Sequence, residues 1–105
     1  MIFKNELSLQ DYVVVVKDIA DSYFDENGNY TPHIGELYAI CTYFNYCVEP
    51  EETDTIEHPI TDLLNVESLM TDQYFMQQYN NAIEDRHGVM SLDFAHAYEQ
   101  AEEIV

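Results

Sequence analysis

Residues 31–48 read TPHIGELYAICTYFNYCV, and this stretch decides the fold. Thr31 followed by Pro32 is a helix start: a capping residue, then proline at the first helical position, where its missing N–H costs nothing. Ile34, Leu37, Tyr38, Ile40, Cys41, Tyr43, Phe44, Cys47 and Val48 then fall on most of the helix circumference. A helix apolar nearly all round is a buried one, so the spacing predicts a central helix from Pro32 to about Val48. Pro50 ends it.

Other helices are expected to pack around this one. Upstream, Ser8-Leu9-Gln10-Asp11 resembles a capping box. Leu9, Tyr12, Val13, Val16, Ile19, Ala20 and Tyr23 recur at three- and four-residue spacing, predicting an amphipathic helix to about Phe24. Residues 1–7 read as a lead-in. Asp25-Glu26-Asn27-Gly28-Asn29 reads as a turn. Downstream, residues 49–59 form an acidic segment between Pro50 and Pro59, expected to be solvated and mobile. A short helix follows from Thr61 to about Leu69, with Leu63, Leu64 and Val66 as its apolar contacts. A further helix is capped by Thr71 or Asp72, carries Phe75, Met76, Tyr79, Ala82, Ile83 and Arg86 on its inner edge, and is closed by His87-Gly88. Ser91 caps the last helix, along which Phe94, Ala97, Tyr98, Ala101, Ile104 and Val105 keep the period. The expected fold is all-α: one domain spanning residues 1–105, a compact bundle of four to five short helices.

Composition agrees with a folded domain. The 105 residues are 47% hydrophobic and include nine Tyr and five Phe, too apolar for a disordered acidic tail. Three Gly and three Pro are too few for a turn-rich β-fold. Cys41 and Cys47 lie on different faces of one helix, about 9 Å apart along its axis at about 1.5 Å per residue. They read as free buried thiols in a reducing compartment. Met1–Leu7 is a mixed stretch containing Glu6, unlike a secretory leader. No apolar run approaches the roughly 20 residues of a membrane span. The expected location is the cytoplasm.

Charge sets the function class. Twenty-one Asp and Glu face only Lys4, Lys17 and Arg86, for a formal net charge of −18. The ordinary solubility need of a small domain is about 2–8 charges. Such a field repels nucleic acid and anionic membranes and accelerates encounter with basic proteins. Salt adaptation is the bland reading, and the abundance of Asn and Tyr speaks against it. Carboxylates spread over a helical surface imitate the phosphate array of DNA, about one charge per 1.7 Å of axis. The acidic segment (Glu49, Glu51, Glu52, Asp54, Glu57) and the acidic helix positions (Asp11, Asp18, Asp21, Glu84, Asp85) are the candidate partner-binding residues. Exposed tyrosines add contact area at such a surface.

Catalytic patterns are lacking. No Gly-rich phosphate loop and no serine elbow occurs, and three basic residues are too few to hold an anionic substrate. His33, His58, His87 and His96 show no metal-ligand spacing, and no cofactor is expected. Glu67-Ser68-Leu69 resembles the attachment site of acyl carrier proteins, but the preceding Gly is missing and Gly88-Val89 comes too late. Asp25, Asn27, Asn29, Thr31, His33 and Glu36 match the ligand positions of an EF-hand loop. Tyr30 stands where that loop needs its central Gly, and Pro32 where a β-branched residue belongs. A capped connection between two helices accounts for the same residues.

Tyr30-Thr-Pro-His-Ile-Gly-Glu-Leu-Tyr-Ala39 and Leu92-Asp-Phe-Ala-His-Ala-Tyr-Glu-Gln-Ala101 resemble stretches of small acidic proteins encoded by tailed bacteriophages of gut and Gram-positive hosts. The resemblance implies a host-takeover protein of the anti-CRISPR or anti-restriction type, acting in the host cytoplasm, or a small virion structural or assembly component. It carries no site residues across. The expectation is a non-catalytic inhibitor that presents a DNA-like acidic surface to a basic nuclease or nucleic-acid-binding protein. It would make no direct contact with nucleic acid or membrane. A homo-oligomeric virion part and an EF-hand-like calcium module are the alternatives.

Overall fold

A computed structural model of the chain describes residues 1–85 and 91–105. The elements are β1 (Ile2–Phe3), α1 (Leu9–Ser22), α2 (Pro32–Cys47), β2 (Val48–Glu49), a 3-10 turn (Leu63–Asn65), α3 (Val66–Met70), α4 (Gln73–Glu84) and α5 (Phe94–Ile104). The fold is an all-α bundle with one two-stranded antiparallel ladder, Ile2 opposite Glu49 and Phe3 opposite Val48. Arg86 and the expected His87-Gly88 helix closure lie outside the described residues.

Side-chain caps start three of the helices. The Asp11 N–H donates to Ser8 Oγ at 3.1 Å, as the capping-box reading expects. Asp72 rather than Thr71 caps α4, accepting from the Phe75 N–H at 3.0 Å. Ser91 does not cap the last helix: Asp93 does, accepting from the His96 N–H at 2.8 Å. The N-terminal segment explains that shift. Leu7 N–H bonds Leu92 O and Phe94 N–H bonds Asn5 O, which holds residue 93 extended until the helix begins. Thr31 occupies the cap position of α2, but its hydroxyl makes no cap bond and is buried without a partner. Its carbonyl accepts from the Ile34 and Gly35 N–H groups instead.

Helix α2 is central, with Ala39, Ile40, Cys41, Thr42, Tyr43, Phe44 and Cys47 all buried. The other helices surround it, α1 against α5 and α2, α4 against α5 and α3. Helices α1 and α5 start together at the Glu6–Asp93 bridge, and Tyr23 at the end of α1 meets Tyr98 on α5, so the two run in the same direction. Aromatic rings fill the centre: Tyr43 meets Phe94 edge-on at 5.1 Å and Tyr79 at 5.5 Å, and Phe44 meets Phe75 at 5.9 Å. Such pairs add about 0.5–1.5 kcal/mol each beyond their area. Gly35 lets α1 approach α2. A Cβ there would lie 2.6 Å from the Tyr23 ring.

Three further expectations need correction. The buried face of α1 is Val15, Val16, Ile19 and Ala20, while Leu9 and Val13 are exposed, because α1 turns its apolar stripe toward both α2 and α5. Residues 1–7 are no loose lead-in. They lie between β2 and residues 92–94, bonded on both sides. In the short helix after Pro59, Val66 and Leu69 are the buried contacts and Leu64 is 84% exposed.

Candidate protein-binding surface

Each carboxylate must be placed before its field has meaning. Of the acidic residues only Asp93 is buried; the rest are exposed or half-buried. Lys4 and Lys17 are both exposed. Among the described residues the cation partners are few. Lys4 Nζ pairs with Glu49 at 3.1 Å, and the Met1 amino group with Asp54 at 3.2 Å and Glu51 at 3.4 Å. The surface is therefore far from neutralised.

The acidic segment is solvated, as expected, but it is tied rather than loose. Glu49 belongs to β2. Asp54 accepts from the Glu51 N–H at 2.8 Å, and that bond together with the Met1 amino group holds its carboxyl below the usual range. His58 Nε2 reaches Phe44 O at 3.1 Å and Val48 O at 3.0 Å. Carbonyls only accept, so Nε2 carries the proton and closes the C-terminal end of α2. Asn45 then clamps Ile60 from both sides, its Nδ2 donating to Ile60 O and its Oδ1 accepting from Ile60 N–H, each at 2.8 Å. Glu52 and Glu57 point to solvent from this pinned strap.

The candidate acids fall into two groups. Lys4, Asp85, Asn5, Gln78 and Asn81 line one small cleft, which places Asp85 on the same side as the Lys4–Glu49 pair. Glu84 is exposed at the end of α4 beside it. On α1, Asp11 and Asp18 are half-buried and their fields both raise the Tyr46 hydroxyl above its ordinary pKa, after burial itself. Asp21 continues that helix, exposed. The structure also shows a third acidic group that the sequence reading did not single out. Burial raises the Tyr23 and Tyr12 hydroxyls first, and the carboxylates of Glu36 and Glu102 act further on Tyr23, those of Glu99 and Glu103 on Tyr12. The signal was present in the spacing of 99, 102 and 103, which puts these acids opposite the buried Ala97 and Ala101.

In the EF-hand-like segment the Asp25 carboxylate is engaged by the turn itself. Asp25 Oδ1 accepts from the N–H groups of Asn27 and Asn29, and Oδ2 from Asn29 Nδ2. These bonds, Asn29 first, hold the Asp25 carboxyl below its usual pKa. Gly28 takes φ +81° to close the turn, and Phe24 bridges Tyr30 across it. Glu36 sits on α2, where its field is felt at Tyr23. Among the described residues no group of three or more His, Cys, Asp or Glu is placed to hold a metal ion.

Neither thiol offers a nucleophile. Burial pushes Cys41 up to about 11 and Cys47 up to about 12, so both are protonated at neutral pH. No helix among the described residues is long and apolar enough to cross a membrane. No family model, curated protein or solved structure matches this chain. What the surface can do rests on its own chemistry: a hydrogen-bonded helical scaffold holding largely unneutralised carboxylates, with the tyrosines of α1, α2 and α5 between them.

Proposed function

We propose that this protein is a non-catalytic inhibitor that docks on the basic groove of a nucleic-acid-handling protein, as a phage-encoded anti-CRISPR or anti-restriction factor does, in the cytoplasm of the host. The observation that carries the reading is the outward placement of every carboxylate but Asp93 on a pinned scaffold. The longest axis is 39 Å. Duplex DNA of that length carries about 23 phosphates at about one per 1.7 Å. The formal charge of −18 is of the same order. Rigidity matters because a preformed array loses little freedom on binding.

A low-salt pull-down from bacterial lysate, eluted with a salt gradient, tests the reading. A nuclease or DNA-binding protein should be released, with affinity falling at least about tenfold between about 50 and 200 mM salt. Charge reversal at Glu52, Glu57, Asp21 and Glu84 should weaken capture without unfolding the chain, since the side chains of these four make no hydrogen bond or ion pair among the described residues. Affinity indifferent to salt would sink the idea.

A second reading, a virion assembly protein, draws on the exposed apolar side chains. Leu9 and Val13 lie one turn apart on α1 at 66% and 57% exposure, and Phe24 packs on Tyr30 at 5.8 Å with both rings open to solvent. It predicts self-association that survives high salt, which sedimentation at high concentration measures. A plain monomer would count against it.

A further inference from the structure

A cleft of about 270 Å³ opens between α1, α2 and the chain at residues 60–63. Its floor is Cys41, Thr42 and Ile60, all buried. Its walls are the half-buried rings of Tyr38 and Tyr46, two turns apart on α2. Two carboxylates also line it, Asp18 on the wall from α1 and Asp62 on the wall formed by residues 60–63. The Asn45–Ile60 clamp fixes that second wall to α2.

The polar groups are unevenly used. Thr42 Oγ1 donates to Tyr38 O, and Asp62 Oδ1 accepts from the Leu64 N–H. The side chain of Asp18, half-buried, makes no hydrogen bond or ion pair among the described residues, and neither do the hydroxyls of Tyr38 and Tyr46. A carboxylate with no partner of its own attracts a cation, and a charge-assisted hydrogen bond to it is stronger than a neutral one. Aromatic faces beside it attract the same cation. The volume lies just below the roughly 300–1,000 Å³ of drug-sized sites, which suits one side chain or a small amine.

We propose that this cleft binds an organic cation, a guanidinium or primary ammonium on an alkyl stem, with Asp18 as the charge partner and Tyr38 and Tyr46 as the flanking rings. The stem lies over Ile60 and Cys41, and the cationic head meets Asp18. The field of Asp18 also reaches both rings, acting after burial to raise the Tyr38 and Tyr46 hydroxyls, which places the carboxylate close to them. Two sources share this chemistry: a free amine, or an arginine or lysine side chain of a protein partner. The inference rests on the cleft and holds whether or not the protein mimics DNA.

The test is a titration of the intact protein, followed by the NMR resonances of the Tyr38 and Tyr46 rings in about 150 mM salt, which screens diffuse attraction. Agmatine probes the free source and a capped Gly-Arg-Gly peptide the side-chain source. Saturable shifts confined to these two rings, weakened at least about tenfold by Asp18→Asn and unchanged by Glu52→Gln, support the site. Glu52→Gln removes the same charge at a residue outside the cleft lining and so separates a site from the general field. The preferred probe identifies the source. No saturable shift with either probe, or equal loss in both variants, overturns the proposal. Failure here leaves the salt-dependent pull-down untouched, and the reverse also holds.

Discussion

Asp93 shows how one residue ties several parts together. It is fully buried, caps α5 through the His96 N–H, pairs with His96 Nδ1, and bridges Glu6 through its backbone. Asp93→Ala should cost about 1–3 kcal/mol, combining a lost cap with lost partners in the interior. Asp93→Asn keeps the cap and should cost less. At roughly 4–8 °C per kcal/mol for a domain of this size, a thermal melt resolves the two. Equal melting temperatures for wild type and Asp93→Ala would contradict the assignment. Gly35 makes the opposite case, where a missing side chain matters. Gly35→Ala drives a methyl into the Tyr23 ring and should destabilise by about 1–3 kcal/mol. Tyr23→Leu in the same chain should recover part of that loss, which a double-mutant cycle measures. Neither residue was legible beforehand. A cap at 91 and a cap at 93 look alike in sequence until the pairing of residues 5–7 chooses between them, and Gly35 gives no sign of the ring above it.

At the scale of elements, the helices were legible because each carries a 3.6-residue period, and α2 because it breaks that period by being apolar on nearly every side. The ladder was not legible. Two-residue strands have no period, and their partners lie some 45 residues apart. The 49–59 segment read as mobile because charge and proline usually mean solvent, while its own Asp54 and His58 side chains tie it to the Met1 amino group and to the end of α2, and Asn45 holds Ile60 just beyond it. The Asn45 clamp is the element to probe. Asn45→Ala removes both bonds to Ile60, and amide exchange and proteolytic cleavage in 55–63 should rise while α1 and α5 stay protected. Unchanged protection there would mean that packing of Ile60 alone suffices. The 24–31 turn gives a pH prediction. The Asp25 carboxyl sits below its unfolded value, so its contribution is present above about pH 3.9 and is lost as pH falls through its lower folded value. Asp25→Asn should flatten the acid limb of the stability curve in that window. Excess calcium should leave the melting temperature unchanged, because loop donors already occupy the Asp25 oxygens; a clear rise would restore the EF-hand reading.

For the whole molecule, like charge is the dominant strain. With a net of −18, added salt should raise the melting temperature by screening self-repulsion, and a melt series from about 10 to 500 mM NaCl checks the sign. The alkaline side has a separate cause. Burial raises Cys41 to about 11 and Cys47 to about 12. Their contribution is complete below the unfolded thiol value of about 8.5 and is lost as pH rises toward those folded values, since the unfolded chain releases its protons first. Denaturant midpoints should therefore fall steadily between about pH 8.5 and 11, and less steeply in Cys41→Ala/Cys47→Ala. The acidic character of the surface was plain from composition. Its division into three groups was not, because which carboxylates share a face depends on how α1 and α5 lie together.

The segment Ile2–Leu7 has a kinetic consequence. It lies between β2 and residues 92–94, so its two flanks come from the middle and the far end of the sequence. Joining ends that distant carries an entropy cost that helices, built from near neighbours, do not meet. During synthesis the α1–α2 hairpin has both its halves once residue 47 has emerged. Residues 2–7 acquire their second neighbour only after residues 92–94 have left the ribosome. A chain halted before residue 92 keeps its central helix and leaves its own beginning half-bonded, an open edge offered to any strand that passes.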